Sequence, residues 1–180
     1  MPHEILIGVS GGIAAYKTAA LVSSLVQAGH GVSVVMTRAA RKFVGPATFR
    51  ALTGRAIVTD QFDARYPLGA HIELADKAEL YCVAPASADV LAKAACGLAD
   101  DLVSTLLLSF NGPVLLAPAM NTAMWEKPSV QRNVTTLRSD GYEFIGPQEG
   151  WQSCRRSGMG RMAEPTDIQK KIERVLAARS

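Results

Sequence analysis

Four continuously apolar runs recur along this sequence and leave few folds open to it. They are EILIGV, VSVVM, ELYCVAP and GPVLLAP, and helical patterns separate them. Strands that are apolar along their whole length are typical of a parallel sheet with helices on both faces. The clearest helix spans residues 13–28, and Gly29 provides its stop. This alternation predicts an α/β fold, doubly wound around a mainly parallel sheet.

Further helical patterns and one short strand complete the alternation. YEFIG, residues 142–146, is predicted to be an edge strand, whereas residues 146–163 are rich in Gly, Ser and Arg and have no period. No internal repeat or linker interrupts the chain, so residues 1–180 are expected to form one domain. The remaining helices are predicted at 46–53, 87–97, 101–110, 128–139 and 166–178.

The composition argues against several classes of protein. With 180 residues, 48% of them apolar, and a net charge of +3, the chain is expected to be globular, with basic residues too scattered for a nucleic-acid surface. No apolar run is long enough to span a membrane, and residues 1–4 lead into the first strand without a signal peptide. The cysteines lack metal-site spacing, so no metal is expected, and they indicate a reducing cytoplasm. Buried free thiols are predicted at Cys82 and Cys96.

The loops that follow the strands are the candidate ligand site, because ligands of such sheets bind beyond the carboxyl ends of the strands. In SGGIAAYK, residues Ser10, Gly11 and Gly12 precede a helix start whose N–H groups attract anions. The spacing matches neither G-x-G-x-x-G nor the P-loop. The second strand ends in MTRAARK, without the acidic residue that binds an NAD ribose. A phosphate monoester is therefore favoured over a dinucleotide, while an ordinary strand–helix turn is an equal explanation of the glycines.

An Ala-Pro junction follows each of the third and fourth strands, at 84–85 and at 117–118. Two such junctions in one sheet favour a shared ligand crevice. Ser87 is expected to cap the helix after the third strand and Asp100 the next helix, because such side chains accept hydrogen bonds at helix starts.

Three stretches carry side chains that are candidates for ligand binding or catalysis. APAMNTAMW places Asn121 among apolar side chains, where its amide needs partners. His71 in AHIEL is a candidate general base, because histidine exchanges protons near neutral pH, and a structural histidine is the alternative. Cys154 lies beside Arg155 and Arg156 in CRRSGMG, a predicted mobile loop, and a chance surface cysteine is its alternative reading.

Several of these motifs together resemble the flavin-dependent cysteine decarboxylases. The matching stretches are SGGIAAYK, AHIEL, APASADVLAKAACGLADDLVSTLLL, PAMNTAMW and CRRSGMGRMAEP, and they keep the family's order from residue 10 to residue 165. PAMNTAMW is highly specific, whereas the glycine loop is not.

The resemblance implies a flavodoxin-like fold that binds FMN at the carboxyl end of the sheet, between subunits of a trimer or an assembly of trimers. It implies catalytic roles for His71, Asn121 and Cys154. By the same resemblance, substrate-binding positions are Asn121, Met124, Arg161 and Met162. The FMN-binding positions that it implies are Ser10, Gly11, Gly12, Thr37, Phe43, Pro85, Ala86, Ser87, Ala88 and Ser104.

The activity that the resemblance implies is that of a carboxy-lyase. It is the decarboxylation of 4'-phosphopantothenoylcysteine to 4'-phosphopantetheine in coenzyme A biosynthesis. Oxidation of the CH2–SH carbon to a thioaldehyde creates an electron sink, CO2 leaves to give an enethiolate, and reduction completes the reaction. In this scheme His71 assists proton removal from the thiol, Asn121 holds the carboxylate, and Cys154 supplies the final proton.

One departure from the family pattern keeps alternatives open. Arg155 and Arg156 stand where a Gly-Asp pair is expected, so two cations either favour the thiolate of Cys154 or bind the substrate phosphate. The alternatives are a peptidyl-cysteine decarboxylase, a flavin prenyltransferase and a regulatory flavoprotein without catalysis. Cys154 favours the first reading over the peptidyl one, and the end at Ser180 is expected to leave no room for a fused synthetase domain.

Overall fold

A five-stranded parallel sheet organises the computed structural model, which describes residues 2–179. The strand order is β2-β1-β3-β4-β5, the flavodoxin-like order, so the predicted fold class is confirmed. All four pairings are parallel, and β1 pairs with β2 from Glu4 opposite Gly31 to Val9 opposite Met36. The strands are β1 (Glu4–Val9), β2 (Gly31–Met36), β3 (Leu80–Ala86), β4 (Val114–Pro118) and β5 (Glu143–Phe144).

Helices cover both faces of the sheet, as the uninterrupted apolar strands require. The helices are α1 (Ala15–Gln27), α2 (Pro46–Thr53), α3 (Ala70–Lys77), α4 (Ala88–Cys96), α5 (Leu102–Ser109), α6 (Thr122–Trp125), α7 (Pro128–Ser139) and α8 (Pro165–Ala177). Helices α1, α2 and α8 pack on one face, while α3, α4, α5 and α7 pack on the other. Alternate residues of each strand supply the two apolar cores, because successive side chains point to opposite faces.

The segment predicted to lack structure contains an antiparallel hairpin, which corrects the prediction for residues 146–163. Its strands are β6 (Gln148–Trp151) and β7 (Ser157–Arg161), and they pair only with each other. The sequences QEGW and SGMGR carry no apolar alternation, so the period that reveals a half-buried strand is missing. We call residues 148–161 the flap.

Two smaller predictions are wrong. Asp101, and not Asp100, caps α5: its carboxylate accepts from the N–H of Ser104, whereas Asp100 forms an ion pair of 2.8 Å with Lys93. Cys96 is exposed because it is the last residue of α4, where Gly97 in the left-handed conformation ends the helix. Cys82 is buried in β3 as predicted, and burial raises the pKa of its thiol to about 12.

No helix within residues 2–179 has the length and apolar character needed to cross a membrane.

Candidate active site

A cavity of about 620 Å³ lies beyond the carboxyl ends of β1, β3 and β4. Four segments enclose it: the β1–α1 loop, the start of α4, the β4–α6 loop and the flap. The stretches that the sequence singled out therefore meet at one place. The lining residues are Gly11, Gly12, Ile13, Ala14, Tyr16, Lys17, Ser87, Ala88, Ala119, Met120, Asn121, Met124, Trp151, Gln152, Ser153, Cys154, Gly160, Arg161 and Met162.

One end of this cavity presents unpaired backbone donors. Within residues 2–179, no hydrogen bond uses the N–H groups of Gly11, Gly12, Ile13 and Ala14, which precede α1. Such groups at the start of a 13-residue helix attract anions. The backbone is held close to the next loop: a Cβ on Gly11 would lie 2.4 Å from the Cβ of Ala39. This end of the cavity has the chemistry of a phosphate site.

Ser10 lies beneath the cavity rather than in its wall. Its hydroxyl donates to the carbonyl of Pro85 at 2.7 Å and accepts from the N–H of Ser87 at 2.9 Å, and the side chain is fully buried. The hydroxyl proton of Ser10 is used in the bond to Pro85, so it is not available to a ligand. The two bonds link the end of β1 to the β3–α4 loop. That loop continues into α4, which Ser87 caps as predicted.

Several predicted cofactor positions do not line the cavity. Thr37 accepts from the N–H of Ala40, Ser104 completes the capping box of α5 with Asp101, and Phe43 is 48% exposed. Pro85 and Ala86 lie in the buried end of β3, behind the lining residues. Their assignments to the cofactor stay predictions.

Asn121 occupies the N-cap of the short helix α6, a role that fixes the orientation of its amide. Its Oδ1 accepts from the N–H of Met124 at 2.9 Å. No hydrogen bond within residues 2–179 uses its Nδ2 group, and the side chain is exposed at the cavity. The helix therefore engages the carbonyl and leaves two N–H donors available to a ligand.

Gln152 connects the flap to α6, and sequence reasoning missed it. Its Oε1 accepts from the N–H of Thr122 at 3.1 Å, and its Nε2 donates to the carbonyls of Gly158 and Met159 at 3.3 and 3.0 Å. The thiol of Cys154 lies 3.6 Å from the same Oε1. Gln152 is 8% exposed, so one buried amide links Cys154 to the helix that Asn121 caps. No signal in the sequence marks this glutamine among the polar residues around it.

A glycine permits the flap to dock against the loop before α6. The N–H of Met120 donates to the carbonyl of Gly160 at 2.9 Å. A Cβ on Gly160 would lie 2.2 Å from the carbonyl oxygen of Met120, and its φ of 133° is one that other residues rarely adopt. Docking at this distance therefore requires glycine.

The wall formed by α1 and the flap carries a net positive charge. Lys17 and Arg161 share the carboxylate of Glu164, at 2.9 and 3.1 Å. The Nε of Arg161 is buried and has no hydrogen-bond partner within residues 2–179, and the next residue, Met162, is 1% exposed. Two cations on one carboxylate favour anionic ligands in the cavity.

His71 is separate from the other predicted catalytic residues. It is the second residue of α3, half-buried, and it does not line the cavity that contains Asn121 and Cys154. Exposed apolar side chains surround it in sequence: Leu68 is 71% and Ile72 41% exposed. Within one chain, the structure brings Asn121 and Cys154 together and leaves His71 apart.

The fold defines a flavodoxin-like α/β protein with a cavity at the carboxyl ends of its strands. The chain belongs to the Flavoprotein family, whose model matches residues 1–177. It is 49% identical over 176 residues to the coenzyme A biosynthesis bifunctional protein CoaBC of Bacillus subtilis (strain 168). The aligned region is 97% of this chain and 43% of that protein, so the chain spans less than half the length of this curated relative.

Two solved structures are similar along the whole chain. The FMN-dependent cysteine decarboxylase SpaF is 34% identical, with 97% of each chain covered and a TM-score of 0.84. A PPC decarboxylase variant complexed with pantothenoylaminoethenethiol is 28% identical, with 100% of each chain covered and a TM-score of 0.90. These similarities support the resemblance found in the sequence motifs.

Proposed function

We propose that this chain is an FMN-dependent carboxy-lyase that converts 4'-phosphopantothenoylcysteine to 4'-phosphopantetheine in coenzyme A biosynthesis. In the net reaction the bond between Cα and the carboxylate breaks, CO2 leaves, and one proton takes its place. The observation that carries the proposal is the amide of Asn121, whose two N–H donors are free at the cavity. The similarity to CoaBC and to a PPC decarboxylase supports this substrate.

The cavity suits FMN. Its volume of about 620 Å³ lies within the range of cofactor sites, and apolar side chains such as Ile13, Met120 and Trp151 line it. The unpaired N–H groups of Gly11 and Gly12 suit the phosphate of the cofactor. When bound, FMN supplies a two-electron acceptor for the CH2–SH carbon and returns the electrons after CO2 has left.

Asn121 and Cys154 then have complementary tasks on the substrate. The Nδ2 group of Asn121 donates to the carboxylate and orients it, without the charge that would hold it too firmly to depart. Cys154 supplies a proton to the decarboxylated carbon skeleton. Gln152 holds the thiol on the flap side of the cavity and binds the flap to α6, which keeps water from the intermediate.

We propose that a second copy of the chain completes the site. His71 does not line the cavity of its own chain, and the face around it carries exposed apolar residues. Packing this face on the cavity of a neighbour buries them and brings the partner subunit's His71 to the substrate thiol. The exposed apolar residues that we assign to this face, from α3, the segment before it and α5, are Phe62, Leu68, Ile72 and Leu108. A homotrimer or an assembly of trimers is the arrangement that we propose.

Residues 1–180 are proposed to act as one FMN-binding domain in the cytoplasm. The free thiols of Cys82, Cys96 and Cys154 support a reducing compartment.

Substrate choice tests the proposed function against the peptidyl alternative. FMN-loaded protein is supplied with 4'-phosphopantothenoylcysteine or with a peptide that ends in cysteine, and released CO2 is measured. We expect kcat/KM to favour the phosphorylated small molecule by at least about tenfold, since a charged contact contributes that much. Equal or better turnover of the peptide would support a peptidyl-cysteine decarboxylase instead. FMN-loaded protein that releases no CO2 from either substrate would contradict both functions.

A further inference from the structure

A second cavity, of about 520 Å³, is lined by residues in and next to α6 and by residues of the flap. We call it the outer cavity, and the cavity of about 620 Å³ the inner cavity. Asn121, Gln152 and Cys154 line both cavities, so the two spaces meet at the proposed catalytic residues. A single elongated ligand can therefore extend from one into the other. The residues found only in this outer cavity are Thr122, Ala123, Glu126, Arg156 and Ser157.

The outer cavity contains donors that the fold does not use. The Oγ1 of Thr122 is buried and has no hydrogen-bond partner within residues 2–179. In the same part of the chain, the guanidinium of Arg156 and the hydroxyl of Ser157 form no hydrogen bond or ion pair. A guanidinium with two hydroxyl groups is a donor set that suits a phosphate. Glu126 is the one carboxylate in the lining, so an anion is expected at the Arg156 side.

A turn with an unfavourable backbone conformation places Arg156 in the lining of this cavity. The N–H of Arg155 donates to the carbonyl of Gln152, and the N–H of Gln152 donates to the carbonyl of Arg156, both at 2.9 Å. Arg155 has a φ of 63° between these bonds, at a turn position that favours glycine. It is the only residue other than glycine with a positive φ within residues 2–179. The strained turn places Arg156, but not Arg155, in the cavity lining.

We infer that Arg156, Thr122 and Ser157 bind the phosphate of the substrate while Asn121 binds its carboxylate. The inference rests on the proposed function and adds a subsite that recognises a phosphate monoester. The pantothenoyl arm then runs from the inner cavity past Cys154 to the outer one. Arg156 is a specificity residue in this arrangement, because it distinguishes a phosphorylated substrate from its dephosphorylated form and from a peptide.

The experiment compares two charge-removing substitutions in the same turn. Arg156→Gln and the matched control Arg155→Gln are assayed as FMN-loaded proteins with 4'-phosphopantothenoylcysteine and with pantothenoylcysteine. We expect Arg156→Gln to lower kcat/KM by about 10- to 100-fold for the phosphorylated substrate, the range for a charged hydrogen bond. Turnover of pantothenoylcysteine is expected to change by less than about threefold. Arg155→Gln is expected to leave both values within about threefold of wild type.

Binding measurements separate this inference from the proposed function. Calorimetry with 4'-phosphopantetheine and pantetheine is expected to show a preference for the phosphorylated compound that Arg156→Gln removes. That result supports the subsite even if no CO2 is released, in which case only the proposed function fails. Equal losses on both substrates, or no loss, would overturn the inference. A fall in FMN content in Arg156→Gln would also overturn it, because the cavity would then bind the phosphate of the cofactor.

Discussion

At the scale of single residues, local structure orients the one amide that the proposed reaction uses. Asn121 caps α6 with its Oδ1, and this bond leaves Nδ2 free at the cavity. The sequence motif predicted that Asn121 belongs to the site, but only the capping bond shows which of its groups stays available to a ligand. Gln152 is the opposite case: its side chain bonds to Thr122 in α6 as well as to flap residues, and no local pattern in the sequence announces these partners.

Asn121→Asp tests the assigned role of this amide. The carboxylate still accepts from the N–H of Met124, so the cap of α6 is kept. It offers no donors and repels the substrate carboxylate, so we expect kcat/KM to fall by at least about 100-fold. The FMN content, measured from the visible spectrum, is expected to stay at the wild-type level. Turnover close to wild type would refute the role of Asn121.

At the scale of elements, the sheet and six of its helices were predicted, whereas α3, α6 and the flap were not. Helices α2 and α7 have the predicted bounds, Pro46–Thr53 and Pro128–Ser139, because proline marks each start and the apolar period is strong. The flap strands contain glycine and polar residues, and they are stabilised by contacts to α6 that are far apart in sequence. Their structure depends on those long-range bonds, which local patterns do not encode.

Gln152→Leu tests whether one side chain docks the flap. The substitution removes the bonds to Thr122, Gly158 and Met159 and leaves their backbone groups unsatisfied, which costs about 1–3 kcal/mol. We expect faster amide hydrogen exchange across residues 148–161 and a reduced kcat, with FMN still bound. Gln169→Leu is the matched control, because Gln169 bonds only to Glu173 on the exposed side of α8. Equal effects of the two substitutions would contradict the docking role.

An ion pair links the start of β1 to the segment after α2, and it makes stability depend on pH. Arg55 donates to both oxygens of Glu4, at 2.6 and 2.8 Å, and this bonding lowers the pKa of Glu4 below its ordinary value. The stabilisation is therefore present above the unfolded-state pKa and is lost as the pH falls through the lowered folded-state pKa.

Glu4→Gln is expected to lower the free energy of unfolding by about 1 kcal/mol at pH 7, since the pair is partly exposed. The difference from wild type should disappear at a pH below the folded-state pKa, where Glu4 is protonated in both states. Urea titrations at pH 7 and at the acidic pH measure this difference in the free energy of unfolding. A difference that persists unchanged in acid would show that charge is not its cause.

At the scale of the whole molecule, the site motifs fall on two places: Asn121 and Cys154 line the cavity, and His71, in α3, does not. The sequence motifs predicted both, but they do not state whether the residues meet within one copy. His71 does not line the cavity of its own chain, and the exposed apolar side chains near it in sequence supply a reason for copies to associate. In the proposed assembly, each cavity therefore receives His71 from a neighbouring copy of the chain.

Mixing two inactive variants tests this sharing of sites. His71→Ala and Asn121→Asp proteins are each expected to be nearly inactive alone. When they are unfolded together and refolded, some sites combine an intact cavity from one copy with the intact partner's His71 from another. Recovery of CO2 release in the mixed oligomers is expected, and its absence despite proven subunit exchange would place each site within one chain.

The product formed by the wild-type protein is the most direct test of the proposed reaction. FMN-loaded protein is incubated with 4'-phosphopantothenoylcysteine without oxygen, and the product is identified by mass spectrometry. We expect 4'-phosphopantetheine, lighter than the substrate by one CO2 and otherwise at the same oxidation level, with the flavin returned to its oxidised spectrum. An accumulating enethiol with reduced flavin, or unchanged substrate, would contradict it.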